Sequence, residues 1–109
     1  MILTGKAKED FENYVLNKEL RHDSEVLISV YNQERLFINY NNVKETLLNA
    51  LIIEWFDSVG IYITSDYFEV NKGFYSEIFD SNFAIVKPTR QEALTEAIKK
   101  ANEIYNNKN

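Results

Sequence analysis

Cysteine is missing from all 109 positions. Disulfides, thiolate metal sites and cysteine nucleophiles are thereby excluded, and a reducing, intracellular setting is the natural expectation. Histidine is nearly as scarce: the one copy, His22, sits in the charged stretch ELRHDSE. A multi-histidine metal site is therefore impossible, and a Ser-His-Asp arrangement would depend on that residue alone. His22 reads as a solvated loop histidine, because a functional site needs partners in defined geometry. The three glycines, Gly5, Gly60 and Gly73, are isolated, which removes the glycine-rich loop that cradles phosphates. With one proline as well, no stretch qualifies as a Pro-, Gly- or Ser-rich linker. Long hydrophobic runs are also lacking. The opening MILTGKAKED has no long apolar region of the kind secretory signals need, and the apolar run at 47–56 falls short of the about 20 residues that span a bilayer. A cytoplasmic protein without a membrane partner is expected.

The chain does hold enough apolar material for one core: 45% of residues are hydrophobic and 14% aromatic, which suits a single domain over residues 1–109 and leaves no room for a second. The net charge of −5 argues against direct nucleic-acid binding, whose affinity comes largely from Lys and Arg on phosphates. Its placement is more informative than its size. Between positions 54 and 80 the acids are Glu54, Asp57, Asp66, Glu69, Glu77 and Asp80, against Lys72 as the only base. Elsewhere acids and bases balance, so one quarter of the chain carries the whole imbalance, and it also holds Trp55, Phe56, Tyr62, Tyr67, Phe68, Phe74, Tyr75 and Phe79.

Periodicity outlines the elements. A first helix after Thr4 places Ala7, Phe11, Tyr14 and Val15 on one face. The stretch SEVLISVYNQERLFINY alternates, and a loop at 32–34 would set Val26, Ile28 and Val30 against Tyr40, Ile38 and Leu36 in a hairpin. A second helix should begin near Asn42, with Glu45 completing a capping box, and stop before Gly60. It is apolar around most of its circumference, as a central helix is. Asn49, Glu54 and Asp57 would form its narrow polar strip. Next come the β-like runs IYIT, YFEV, GFYSEIF and FAIV, broken by SD, NKG and DSN. NKG is expected to close a three-residue loop with Gly73 left-handed, pairing Val70 with Phe74 and Phe68 with inward-facing Ser76. The last helix follows Pro88, with Thr89 as cap, Glu92 at its third position and an apolar stripe of Leu94, Ala97, Ile98, Ala101, Ile104 and Tyr105. Residues 106–109 should fray. The expected fold is α+β in the order α-β-β-α-β-β-β-α, an antiparallel sheet with helices packed on one side.

Few chemistries are open to such a set of residues. Glu54 and Asp57, with Asp66, could serve as an acid/base pair or hold a divalent cation. The plainer reading is that Glu54 reaches the helix edge to accept hydrogen bonds, Asp57 bonds the turn at Gly60, and Trp55 anchors the core. No catalytic residue, metal site or cofactor is assigned. On the sheet, the expected register places Glu69 opposite Tyr75 and Tyr67 opposite Glu77, a checkered tyrosine–carboxylate face. That face is either solvated surface or an interface; the interface enrichment of tyrosine and the uncompensated charge favour the second. Asp66, Tyr67, Glu69, Tyr75, Glu77 and Asp80 are the candidate partner-binding residues. The fitting partner is a basic protein, including one whose positive groove ordinarily holds nucleic acid.

The stretches LTGKAKEDFENY, ALIIEWFDSVGI and TRQEALTEAIKKANEIYN resemble small accessory proteins encoded in phage and prophage genomes. The resemblance spans about half of the chain and contains no catalytic motif, so it transfers no site residues. It implies a short protein of the host-cell cytoplasm that acts on host machinery, inhibitors of CRISPR effector nucleases being a prominent class. The expected function is thus a non-enzymatic anti-CRISPR inhibitor of a host defence nuclease. A structural or regulatory phage protein acting as a homodimer is the alternative, and a carboxylate- or metal-dependent small enzyme a third.

Overall fold

The computed structural model describes residues 2–17, 42–70 and 72–108. The expected hairpin at 25–40 and His22 lie outside the described residues, as do the side chains of Asn42 and Glu45. What is described is an α+β arrangement: helix α1 (Gly5–Asn17), helix α2 (Asn42–Ser58), strands β1 (Ile63–Phe68), β2 (Gly73–Ile78) and β3 (Ala84–Lys87), and helix α3 (Arg90–Lys108). The strands form an antiparallel meander in the order β1-β2-β3. The second half of IYIT and the first half of YFEV, read as two runs, belong to one strand that passes through Ser65 and Asp66 without a break.

Each helix buries the face its spacing marks out. Ala7, Phe11 and Val15 of α1, Leu51, Ile52, Trp55 and Phe56 of α2, and Ala97, Ile98 and Ala101 of α3 meet in one core with Leu3, Ile61, Ile63 and Ile78. Side chains such as Phe11, Phe56 and Ile52 are almost wholly buried, and each contributes about 1.5–3 kcal/mol by leaving water. Trp55 anchors this core. Its ring centroid lies 4.7 Å from Phe56, 4.9 Å from Tyr105 and 6.0 Å from Phe11.

The ends of α2 and α3 are set by local chemistry. At the close of α2 the Ile61 amide donates to the Phe56 carbonyl at 2.9 Å and the Gly60 amide to the Asp57 carbonyl at 3.3 Å, with Gly60 at φ 85°. These paired bonds form a Schellman motif, and buried Phe56 and Ile61 supply its usual hydrophobic pair. α3 starts as expected, the Thr89 hydroxyl accepting the Glu92 amide at 3.1 Å. Its far end differs from expectation: the helix runs to Lys108, and Asn106 bonds the start of α1.

That contact ties the two terminal helices together. Asn102 Oδ1 accepts the Thr4 amide at 2.9 Å and its Nδ2 donates to the Thr4 hydroxyl at 3.0 Å. With the Thr4 hydroxyl engaged there, Asn106 Oδ1 accepts the Ala7 amide at 2.8 Å and Nδ2 donates to the Thr4 carbonyl at 3.0 Å. The orphan amide of the first turn of α1 is thus capped from α3, one turn apart along a single helix face. One turn further along α1, Tyr105 donates its hydroxyl to Asp10, which also pairs with Lys6 at 3.2 Å.

Candidate functional site

Direct cross-strand partners share a face, so the register assigns every strand side chain. Ile63, Ser65 and Tyr67 stand opposite Ile78, Ser76 and Phe74, and Ser76 and Phe74 stand opposite Ile85 and Lys87. This inner face lies against α3: Ile63, Ser76 and Ile78 are buried, and Arg90 sits 5.0 Å from the Phe74 ring centroid, with its guanidinium 3.5 Å from the Ser65 hydroxyl. The outer face carries Thr64, Asp66 and Phe68 opposite Glu77, Tyr75 and Gly73, with Ala84 and Val86 on β3. Thr64, Asp66, Phe68 and Ala84 are exposed there, and Tyr75, Glu77 and Val86 half-buried.

The observed pairing is offset by three residues from the expected one, and an odd offset exchanges the faces of one strand. β2 points as anticipated, with Ser76 and Ile78 inward and Tyr75 and Glu77 outward. On β1 the aromatic residues trade places: Tyr67 turns inward to meet Phe74 at 5.4 Å, and Phe68 outward to meet Tyr75 at 6.0 Å. The cause is the turn. The Glu69 carbonyl accepts the Lys72 amide at 3.1 Å in the β1–β2 turn, and Lys72, not Gly73, takes the left-handed conformation at φ 49°. Gly73 is already strand. A Cβ there would lie 2.8 Å from Val86 Cγ1 and 2.9 Å from the Lys87 carbonyl oxygen, so β3 approaches too closely for any side chain.

Of the six candidate residues, the fold gathers three. Asp66, Tyr75 and Glu77 share the outer face, and Phe68, which the expected register turned inward, joins them. Tyr67 lies on the opposite face near its rim, Glu69 in the β1–β2 turn and Asp80 in the β2–β3 turn at φ 59°. Those turns flank a six-residue strand and are therefore on the order of 20 Å apart. The polar strip expected on α2 also separates. Asn49 is buried and its amide nitrogen has no hydrogen-bond partner among the described residues, while Glu54 and Asp57 are exposed. Glu54 accepts a hydrogen bond from Tyr14 of α1 at 3.0 Å, so it marks the rim between two helices.

Two internal bonds fix the acids of the outer face. Tyr75 donates to Glu77 Oε2 at 2.6 Å, and that bond, ahead of desolvation, raises the phenol above its ordinary range. Asp66 Oδ1 accepts the amide of Tyr67 at 2.8 Å. Lys87 and Arg90 belong to the side facing α3 and Lys72 sits in the β1–β2 turn, so the strand positions of the outer face pair two carboxylates with two rings and include no base. Among the described residues no group of three or more His, Cys, Asp or Glu is placed to hold a metal, and no helix is long and apolar enough to cross a membrane. No protein-family model, no curated protein and no solved structure matches this chain.

Proposed function

We propose that the chain is a non-enzymatic binding protein that docks the outer face of its sheet on a basic surface of a protein partner. The observation that carries this reading is the composition of that face: Asp66, Phe68, Tyr75 and Glu77 on adjacent strands, with no base at its strand positions. Carboxylates steer a basic partner and fix its register, while rings supply contact area, the division of labour common at interfaces. Together with the resemblance to phage accessory proteins, it supports a phage-encoded inhibitor working in the host cytoplasm, whose target is the nucleic-acid-handling surface of a defence protein such as a CRISPR effector nuclease. The net charge of −5 suits competition with nucleic acid for such a surface.

The test is capture from bacterial host lysate by the tagged chain at low and high salt, with a Glu77→Lys variant alongside. A nucleic-acid enzyme retained by the native chain, released by salt and lost with Glu77→Lys agrees with the proposal. Retention of the same enzyme by the variant removes the sheet face from it. The homodimer reading draws on Val70 and Phe79, which are 84% and 70% exposed at the strand ends. It is tested by light scattering on the purified chain, a monomer excluding it.

A further inference from the structure

On the reading that the outer face meets a basic protein surface, we infer that it selects arginine over lysine in that surface, with the Tyr75 ring as stacking platform and the Asp66 and Glu77 carboxylates as acceptors beside it. Tyr75 occupies the middle of the face. Asp66 stands directly across from it on β1, Val86 across on β3, Glu77 two residues along its own strand, and Phe68 diagonally at 6.0 Å. A ring bracketed by carboxylates is a poor site for any anion and a good one for a cation, so charge complementarity names the occupant's sign.

The form of the cation follows from the chemistry of the two basic side chains. A guanidinium is flat, delocalised and weakly hydrated, so it can lie on a ring and direct forked N–H groups to carboxylates at the ring's edge. An ammonium is a compact, strongly hydrated point charge, which gains little from a ring when water competes. The acceptors are held in place before any partner arrives. Glu77 commits Oε2 to the Tyr75 hydroxyl and Asp66 commits Oδ1 to the Tyr67 amide, and among the described residues Oε1 and Oδ2 remain to receive partner donors. The same sheet already shows the contact type on its other face, where Arg90 lies over Phe74 at 5.0 Å with its guanidinium against Ser65.

Hexa-arginine and hexa-lysine peptides, titrated separately into the full chain at about 0.1 M salt, are the probes, with amide shifts of Asp66, Tyr75 and Glu77 locating the binding. Hexa-arginine should bind about three- to tenfold more tightly, Tyr75→Leu should bring the ratio near one, and Asp66→Asn should weaken hexa-arginine binding. Asp66 is exposed and an asparagine can still accept the Tyr67 amide, so this variant remains informative if Tyr75→Leu does not fold. Equal affinity for both peptides, shifts centred elsewhere, or an unchanged ratio in folded Tyr75→Leu overturns the inference. A dimer dispersed by Glu77→Lys also overturns it, because a second copy would then be the occupant. Equal peptide affinities beside a Glu77-dependent lysate capture leave the inhibitor reading standing, and a clear arginine preference without any capture sinks that reading alone.

Discussion

Asp66 and Tyr75 face each other directly across the β1–β2 ladder on the outer side of the sheet. The pairing brings together an acid and an aromatic residue separated by a turn, and Tyr75 passes the relationship on to Glu77 through its hydroxyl. Neither residue packs in the core, so the arrangement can be altered with little effect on the fold. Surface substitutions of this kind usually change stability by no more than about 0.5 kcal/mol.

Charge reversal should therefore separate binding from folding. Glu77→Lys or Asp66→Lys is expected to weaken partner binding at least about tenfold, ~1.4 kcal/mol, with the melting temperature nearly unchanged. Glu69→Lys, in the turn, should cost much less. Titration calorimetry against the captured partner, paired with thermal melts, decides it; equal losses for Glu69 and Glu77 would mean that the turn belongs to the surface.

Gly73→Ala should destabilise the domain by about 1–3 kcal/mol, the cost of forcing atoms into a packed site. The added Cβ meets Val86 Cγ1 at 2.8 Å and backbone oxygen of Lys87 at 2.9 Å, and only the first obstacle can move. Val86→Ala in the same chain should restore part of the loss. Gly60→Ala presents a different case, with open space around the Cβ and a strained φ of 85°, so its expected cost is about 1 kcal/mol from backbone conformation alone. Urea midpoints of the three variants measure both effects, and full rescue by Val86→Ala would contradict the role given to the Lys87 carbonyl.

Much of this architecture can be read from residues alone, and the exceptions have specific causes. The stripes of α1 and α3 and the outward setting of Tyr75 and Glu77 follow from period and alternation. The facing of β1 does not, because Tyr67 and Phe68 are adjacent aromatic residues and either can turn inward without an obvious penalty. Gly73 compounds the ambiguity. In a sequence it marks a turn, whereas its role here is set by β3, a neighbour that only the fold supplies. The same holds for Asn106, which looks like the start of a fraying polar tail until α1 lies beside it, and for Asn102, whose bonds to Thr4 no helical period announces. The clustering of acids between 54 and 80 also overstates the patch, since β-turns and a helix rim carry four of the six away from the face.

Asn106→Ala should cost about 1 kcal/mol, the usual loss for a helix cap. The loss should be local as well: the Ala7 amide should exchange with solvent faster, while amides of β2 keep their protection. Hydrogen exchange followed by NMR reads this directly. Uniform loss of protection would show that α1 and the sheet open together.

The Tyr105–Asp10 bond gives stability a pH dependence at both ends. Asp10 is held below its ordinary 3.8, first by the Tyr105 hydrogen bond and then by Lys6. A lowered carboxylate contributes stability above its unfolded value, and the contribution disappears as pH falls through the folded one. Tyr105 is pushed up to about 12, first by burial and then by Asp10. A raised phenol contributes below its ordinary 10.0, and that contribution disappears as pH rises from there toward about 12. Tyr105→Phe should flatten the acid limb below pH 3.8 and remove a phenol ionising near 12 from a tyrosine absorbance titration; loss instead of a phenol titrating near 10.0 would refute the assignment.

Docking through the outer face is read most directly from the affinity of the lysate-captured partner for three forms of the chain: native, Glu77→Lys and Glu69→Lys. Strong loss is expected for Glu77→Lys and near-native binding for Glu69→Lys, with all three forms equally folded. Native affinity in Glu77→Lys would show that the partner is held elsewhere and that the outer face of the sheet is ordinary solvated surface.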